Sequence, residues 1–170
     1  MRISTRATAL VFAVAAAGGL AVPFAAPASA ALKPSVSCAK ETSPPIAQSG
    51  GKLQSTLTSC TPAALSAGGS SLTAVKAGQT KGTLTDTITW KGGKGTTVAI
   101  VKYGTATGVG KCKAPYDSRV TITGSVKSAT GAAKAITKVG EPLTASICAI
   151  SKAGPAQGQT TVEPGTKFKL

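Results

Sequence analysis

Few residues in this chain are suited to chemistry. There is no histidine, and five acids occur in 170 residues. They are Glu41, Asp86, Asp117, Glu141 and Glu163. General acid–base catalysis usually draws on His or on paired carboxylates. Of the five acids, only Asp86 falls inside a patterned segment, "GTLTDTITW", on the face of Leu84, Ile88 and Trp90. A lone buried carboxylate has a raised pKa and suggests a site. The expectation here is the plainer one, contact with a lysine or a backbone donor. A glycosidase pair needs a second carboxylate at a set distance, and nothing in the sequence places one. A Ser–Lys hydrolase needs S-x-x-K on a helix, and no helix-like stretch beyond residue 30 carries it. The chain is expected to be non-catalytic and to need no cofactor.

The "GGKGTT" stretch at residues 92–97 resembles a phosphate loop only in part. A Walker-type loop has Lys followed by Ser or Thr at the opening of a helix. Lys94 is followed by Gly95, and then by "TTVAIV". That run is β-branched and opens a helix poorly. It predicts the turn of a hairpin.

Four cysteines, Cys38, Cys60, Cys112 and Cys148, lie beyond residue 30. An even count in an exported chain predicts two disulfides. Three pairings are possible. Cys38–Cys60 with Cys112–Cys148 is preferred, because each bridge then joins neighbours along the chain. A metal site would want close C-x-x-C pairs or histidine, and neither is present, so no metal is expected. A catalytic cysteine would want a partner base.

The first thirty residues read as a secretory leader. Arg2 and Arg6 precede an apolar stretch, and Ala28-Ser29-Ala30 forms an A-x-A cleavage site. Gly18, Gly19, Pro23 and Pro27 argue against a retained anchor. Mature protein from Ala31, secreted and without a transmembrane segment, is the expectation. It would carry sixteen lysines, one arginine and five acids, a net charge of +12. The lysines are spread from Lys33 to Lys169 with no basic run. Such a surface keeps a protein soluble or draws it to anionic envelope polymers. Nucleic acid is not the expected partner, because its readers use arginine forks and aromatic platforms. Six aromatics occur in all, two of them, Phe12 and Phe24, in the leader. Possible binding residues are Trp90, as a core lid or a sugar-stacking platform, and Lys91, Lys94, Lys111 and Lys113.

The elements that must position these residues are strands. "LQSTLTSC" at 53–60, "GTLTDTITW" at 82–90, "TTVAIVKYG" at 96–104, "RVTITGSVKS" at 119–128 and "PLTASICAISK" at 142–152 alternate or run β-branched. Residues 31–50, with three prolines, read as an irregular lead-in, and 51–170 as the β domain. A helical turn is expected at Pro62–Ser66, weak strands at Ser71–Val75 and Ala135–Val139, and a sheet-edge strand in "TKFKL". The row Thr83, Thr85, Thr87, Thr89 predicts a solvent-facing strand face rather than an ice-binding ladder. The fold class is all-β, a single disulfide-stapled β-sandwich or partly open barrel.

Taken with "LTSCTP", "GKCKAP", "VTITGSV" and "ASICA", the strand and hairpin "GTLTDTITWKGGKGTTV" resemble those of small secreted disulfide-containing β proteins of high-GC Gram-positive bacteria. The resemblance covers roughly residues 36–170. It implies a stapled β domain and carries over no catalytic residue. The expected function is a binding or structural role at the cell envelope, through the lysine surface. The alternative is an inhibitor of a secreted enzyme that presents the loop "GVGKCKAPY" around Cys112.

Overall fold

The computed structural model describes residues 32–45, 53–72, 81–105 and 108–170. The expected leader lies outside the described residues. Nine strands carry the fold: β1 (Ser37–Ser43), β2 (Leu53–Thr61), β3 (Gly68–Leu72), β4 (Lys81–Trp90), β5 (Gly95–Thr105), β6 (Ser118–Ala129), β7 (Pro142–Ala149), β8 (Thr160–Val162) and β9 (Phe168–Lys169). A 3₁₀ turn spans Ala63–Leu65, and one helical turn, α1, spans Ala133–Ile136.

Every pairing is antiparallel. Strands β1 to β7 meander, each beside the next. β8 then lies between β7 and β1, with Ala149 opposite Thr160 and Thr160 opposite Ser43. That last pairing closes an eight-stranded barrel. β9 fills the same gap further along, pairing Lys169 with both Ser37 of β1 and Thr144 of β7. The all-β expectation holds, but the sandwich and the partly open barrel are corrected to a closed barrel. Closure leaves no long unpaired edge. The expected lead-in at 31–50 contains β1 and is corrected too. Pro34, Pro44 and Pro45 fall outside the strand, so "SCAKETS" between them keeps all its N–H donors for two neighbours.

The bridges join Cys38 to Cys60 and Cys112 to Cys148, as chain proximity suggested. Cys38 and Cys60 face each other across β1 and β2. Cys112 ties the β5–β6 connection to β7. Each bridge restricts the unfolded chain and contributes about 2–4 kcal/mol.

The β4–β5 hairpin turns through Lys91–Lys94, as expected. Gly95 has a φ of 96°, and a Cβ there would lie 2.1 Å from the Thr130 carbonyl oxygen. In β4, Leu84, Asp86, Ile88 and Trp90 face inward, and the four threonines take the outer face. β3 covers part of the expected strand at 71–75; residues 73–75 lie outside the described residues. α1 replaces the weak strand expected at 135–139. There the Thr137 N–H and hydroxyl both donate to the Ala133 carbonyl, closing a helical turn that an alanine-rich segment favours.

The core fills the barrel with Leu57, Ile88, Trp90, Val101, Leu143 and Leu170 among others. At one end Val36 and Leu170 exchange two backbone hydrogen bonds, which ties the start of the barrel to its last residue. β6 presses close to β5 where Gly124 pairs with Val101. A Cβ on Gly124 would lie 2.3 Å from the Ile100 carbonyl and 2.9 Å from the Val101 Cα. Both are backbone atoms, so a methyl group must push strands apart. Gly124→Ala is therefore predicted to cost about 1–3 kcal/mol in urea unfolding; an unchanged midpoint would show that the two strands do not approach so closely.

Candidate functional site

The barrel interior is polar on one wall. Going round from β8 to β4, the inward positions include Thr160, Ser43, Glu41, Ser55, Ser70 and Asp86. The facing wall of β5, β6 and β7 presents Ala99, Val101, Ile122, Val126, Leu143 and Ile147. Alternation alone produces this division: each strand sends every second side chain inward. In β1, β3 and β4 those positions include Glu, Ser and Asp.

Glu41 is 3% exposed and Asp86 2%. The Ser70 hydroxyl donates to Asp86 Oδ1 at 2.6 Å. The Thr160 hydroxyl donates to Glu41 Oε1 at 3.0 Å. Ser43 Oγ lies 2.8 Å from Thr160 Oγ1 and accepts the Thr160 N–H at 3.0 Å. Glu41 Oε2 is buried and has no hydrogen-bond partner. Burial pushes Glu41 up from 4.5 to about 7; Thr160 and Ser55 act against the rise, and the Asp86 charge adds to it. Burial likewise pushes Asp86 up from 3.8 to about 6, against the Ser70 hydrogen bond. Asp86 therefore does lie on the face of Leu84 and Ile88, but its partner is a serine. The expected lysine or backbone donor is corrected.

The other three acids serve the fold. Glu141 is buried and accepts N–H groups from Ser35 and, at 2.8 Å, from Lys138. Glu163 sits in the interruption between β8 and β9. It accepts from the Lys111 N–H at 2.8 Å and from the Ser146 hydroxyl, and stands 3.7 Å from the Arg119 guanidinium. The Lys111 N–H, first among these, holds its carboxyl below the usual range. Asp117 accepts from the Ser151 N–H at 2.7 Å, the Ser151 hydroxyl and the Lys152 N–H. Its pKa is lowered, mainly by the Ser151 N–H.

A cavity of about 140 Å³ lies beside the carboxylate layer. Its walls include Leu53, Leu72, Leu84, Tyr103 and Ile147, and Thr160 lines it as well. Leu72 is the register partner of Asp86, and Leu84 is two residues from it along the same face of β4.

The expected binding residues do not converge. Trp90 is 1% exposed and donates its indole N–H to Thr97 at 2.9 Å. It is the core lid of the two readings, and the exposed sugar platform is corrected. Lys91 and Lys94 are exposed on the β4–β5 turn; Lys111 and Lys113 are exposed either side of buried Cys112. Ser37 and Lys40 have S-x-x-K spacing but lie on β1, not on a helix. Among the described residues, no three His, Cys, Asp or Glu gather where a metal ion could be held. No helix among them is long and apolar enough to cross a membrane.

Sequence reasoning did not find Glu41, Ser55, Ser70 and Thr160 as neighbours of Asp86. Lys40, Glu41, Thr42 and Ser43 are all polar, so no alternation in the sequence marks which of them turn inward. These features define a small closed antiparallel barrel with inward-turned carboxylates. The chain matches no protein-family model, no curated protein and no solved structure.

Proposed function

We propose that this is a non-catalytic, extracellular protein that attaches to anionic polymers of the cell envelope through its lysine surface. The observation that carries the reading is the separation of charge by the barrel. All fourteen lysines among the described residues are exposed, whereas Glu41, Asp86, Glu141 and Glu163 are buried. The one ion pair among the described residues belongs to Arg119. Apart from Lys152, which lies beside Asp117, lysine charge on this surface is therefore open to an anionic polymer. Lysine is a hydrated point charge on a flexible stem, so attachment is diffuse rather than shape-specific. Two disulfides suit an oxidising compartment.

Attraction of this kind is screened over about 8 Å at physiological ionic strength. Washed parent cells are expected to retain the purified protein at low salt and release it at around a few hundred millimolar NaCl. Reversing Lys91, Lys94, Lys111 and Lys113 to glutamate should release it at clearly lower salt. Asp117→Ala, on the surface, should leave retention unchanged. Protein that stays in the supernatant at low salt would sink the proposal and leave the charge a solubility device. The Cys112 loop, pinned by its disulfide and by Glu163, would then be the surface to assay against secreted proteases.

A further inference from the structure

We propose that the barrel lumen binds a small primary amine, the ammonium group against Glu41 and Asp86 and the hydrocarbon in the adjoining apolar cavity. Three observations meet here. Glu41 and Asp86 are both buried inside the barrel, from β1 and β4, and β2 and β3 join them: Glu41 pairs with Leu57, Ser55 two residues away pairs with Ser70, and Ser70 bonds Asp86. Glu41 Oε2 is buried with its hydrogen-bonding capacity unused, which is costly unless something donates to it. The cavity of about 140 Å³ is walled by Leu53, Leu72, Leu84 and Tyr103, and it shares Thr160 with the carboxylate layer.

Above the pH at which Glu41 gives up its proton, the donor that satisfies it best is a cation. A neutral hydroxyl can fill one lone pair, but two neighbouring carboxylates in a low-dielectric interior repel each other when both are charged. An ammonium group offers three donors and one positive charge. It bonds Glu41 Oε2 and offsets that repulsion in the same step. None of the protein's own described lysines reaches the lumen, since every one is exposed. The hydrocarbon is limited by volume. An apolar cavity of about 150 Å³ accepts benzene, so a single ring or a chain of similar bulk fits and a long lipid tail does not. The cavity lies at the barrel end marked by Leu53 at the start of β2, Leu72 at the end of β3 and Thr105 at the end of β5. That is the end opposite Trp90.

Benzylamine and benzyl alcohol, nearly equal in shape, separate the two halves of the site. Isothermal titration with the full chain at about pH 8, above the Glu41 value of about 7, is expected to show benzylamine binding at least about tenfold tighter than the alcohol. Glu41→Gln should remove that preference and leave the alcohol unchanged. Asp86→Asn provides the same test should the first variant fail to fold. Leu84→Trp, which fills the cavity, should weaken both ligands. The proposal is overturned if benzylamine gives no heat of binding up to about 10 mM. It is also overturned if amine and alcohol bind alike, or if the folded carboxylate variants keep the preference.

Discussion

The barrel is expected to be more stable at pH 4.5 than at pH 8, and Glu41→Gln is expected to remove most of that difference. Most proteins weaken in acid because their carboxylates are paired in the folded state. Here the two interior carboxylates act the other way. Glu41 titrates near 7 in the fold against 4.5 ordinarily, and Asp86 near 6 against 3.8. Over those intervals the unfolded chain has already released protons that the folded barrel still holds. Stability from these two groups is therefore full below about pH 4, falls as pH rises through 4 to 7, and levels off above. The total loss between pH 4.5 and 8 is on the order of 3–5 kcal/mol, with Glu41 the larger share. Glu163 and Asp117, whose pKa values are lowered, give stability that disappears only as pH falls through the acid range.

Urea unfolding at the two pH values checks this. Glu41→Gln should gain about 2 kcal/mol at pH 8, where it removes a buried charge, and change little at pH 4.5. Asp86→Asn should do the same to a smaller degree, and should also lower the Glu41 titration by removing a neighbouring negative charge. Equal wild-type stability at both pH values, with no gain in either variant, would mean that the carboxylates reach water.

How much of this was legible in the sequence differs by element. The cysteine pairing was, because both bridges are local along the chain and β1 and β2 are adjacent strands. The β4–β5 hairpin was, because its alternation is long and its turn is mostly glycine. Closure of the barrel was not. It depends on β8, three residues long, meeting β1 across 117 residues, and on contacts such as Ser43 with Thr160. No periodicity in three residues can announce that. The interior carboxylate layer was half legible. Asp86 stood out on an apolar face, but its partner Ser70 lies in a glycine–serine segment that reads as loop. Glu41 lies between prolines in a segment that reads as lead-in. Polar residues brought together by closure leave no local pattern.

Trp90→Ala is predicted to be among the most damaging single substitutions, costing about 3–5 kcal/mol. The indole closes the barrel end opposite the cavity, where its ring lies against Gly68; a Cβ on that glycine would meet Trp90 Cε3 at 3.0 Å. The indole also starts a chain of donors. Its N–H donates to the Thr97 hydroxyl at 2.9 Å, Thr97 stands 3.2 Å from the Thr137 hydroxyl, and Thr137 donates to the Ala133 carbonyl at 3.0 Å. With the indole as first donor, Thr97 donates onward to Thr137, and β4, β5 and α1 are linked through buried groups. Trp90→Phe separates the two contributions. It keeps most of the apolar volume and loses the first donor, so it should cost about 1–2 kcal/mol. Its effect should appear first at α1, as faster hydrogen exchange of the Thr137 amide, which donates to Ala133 at 2.8 Å. Trp90 is the only tryptophan, so unfolding must be followed by circular dichroism rather than by its fluorescence. A Trp90→Ala cost under about 1 kcal/mol would mean that the barrel end is closed without it. Equal costs for Phe and Ala would place the stabilisation in the hydrogen-bond chain rather than in the ring.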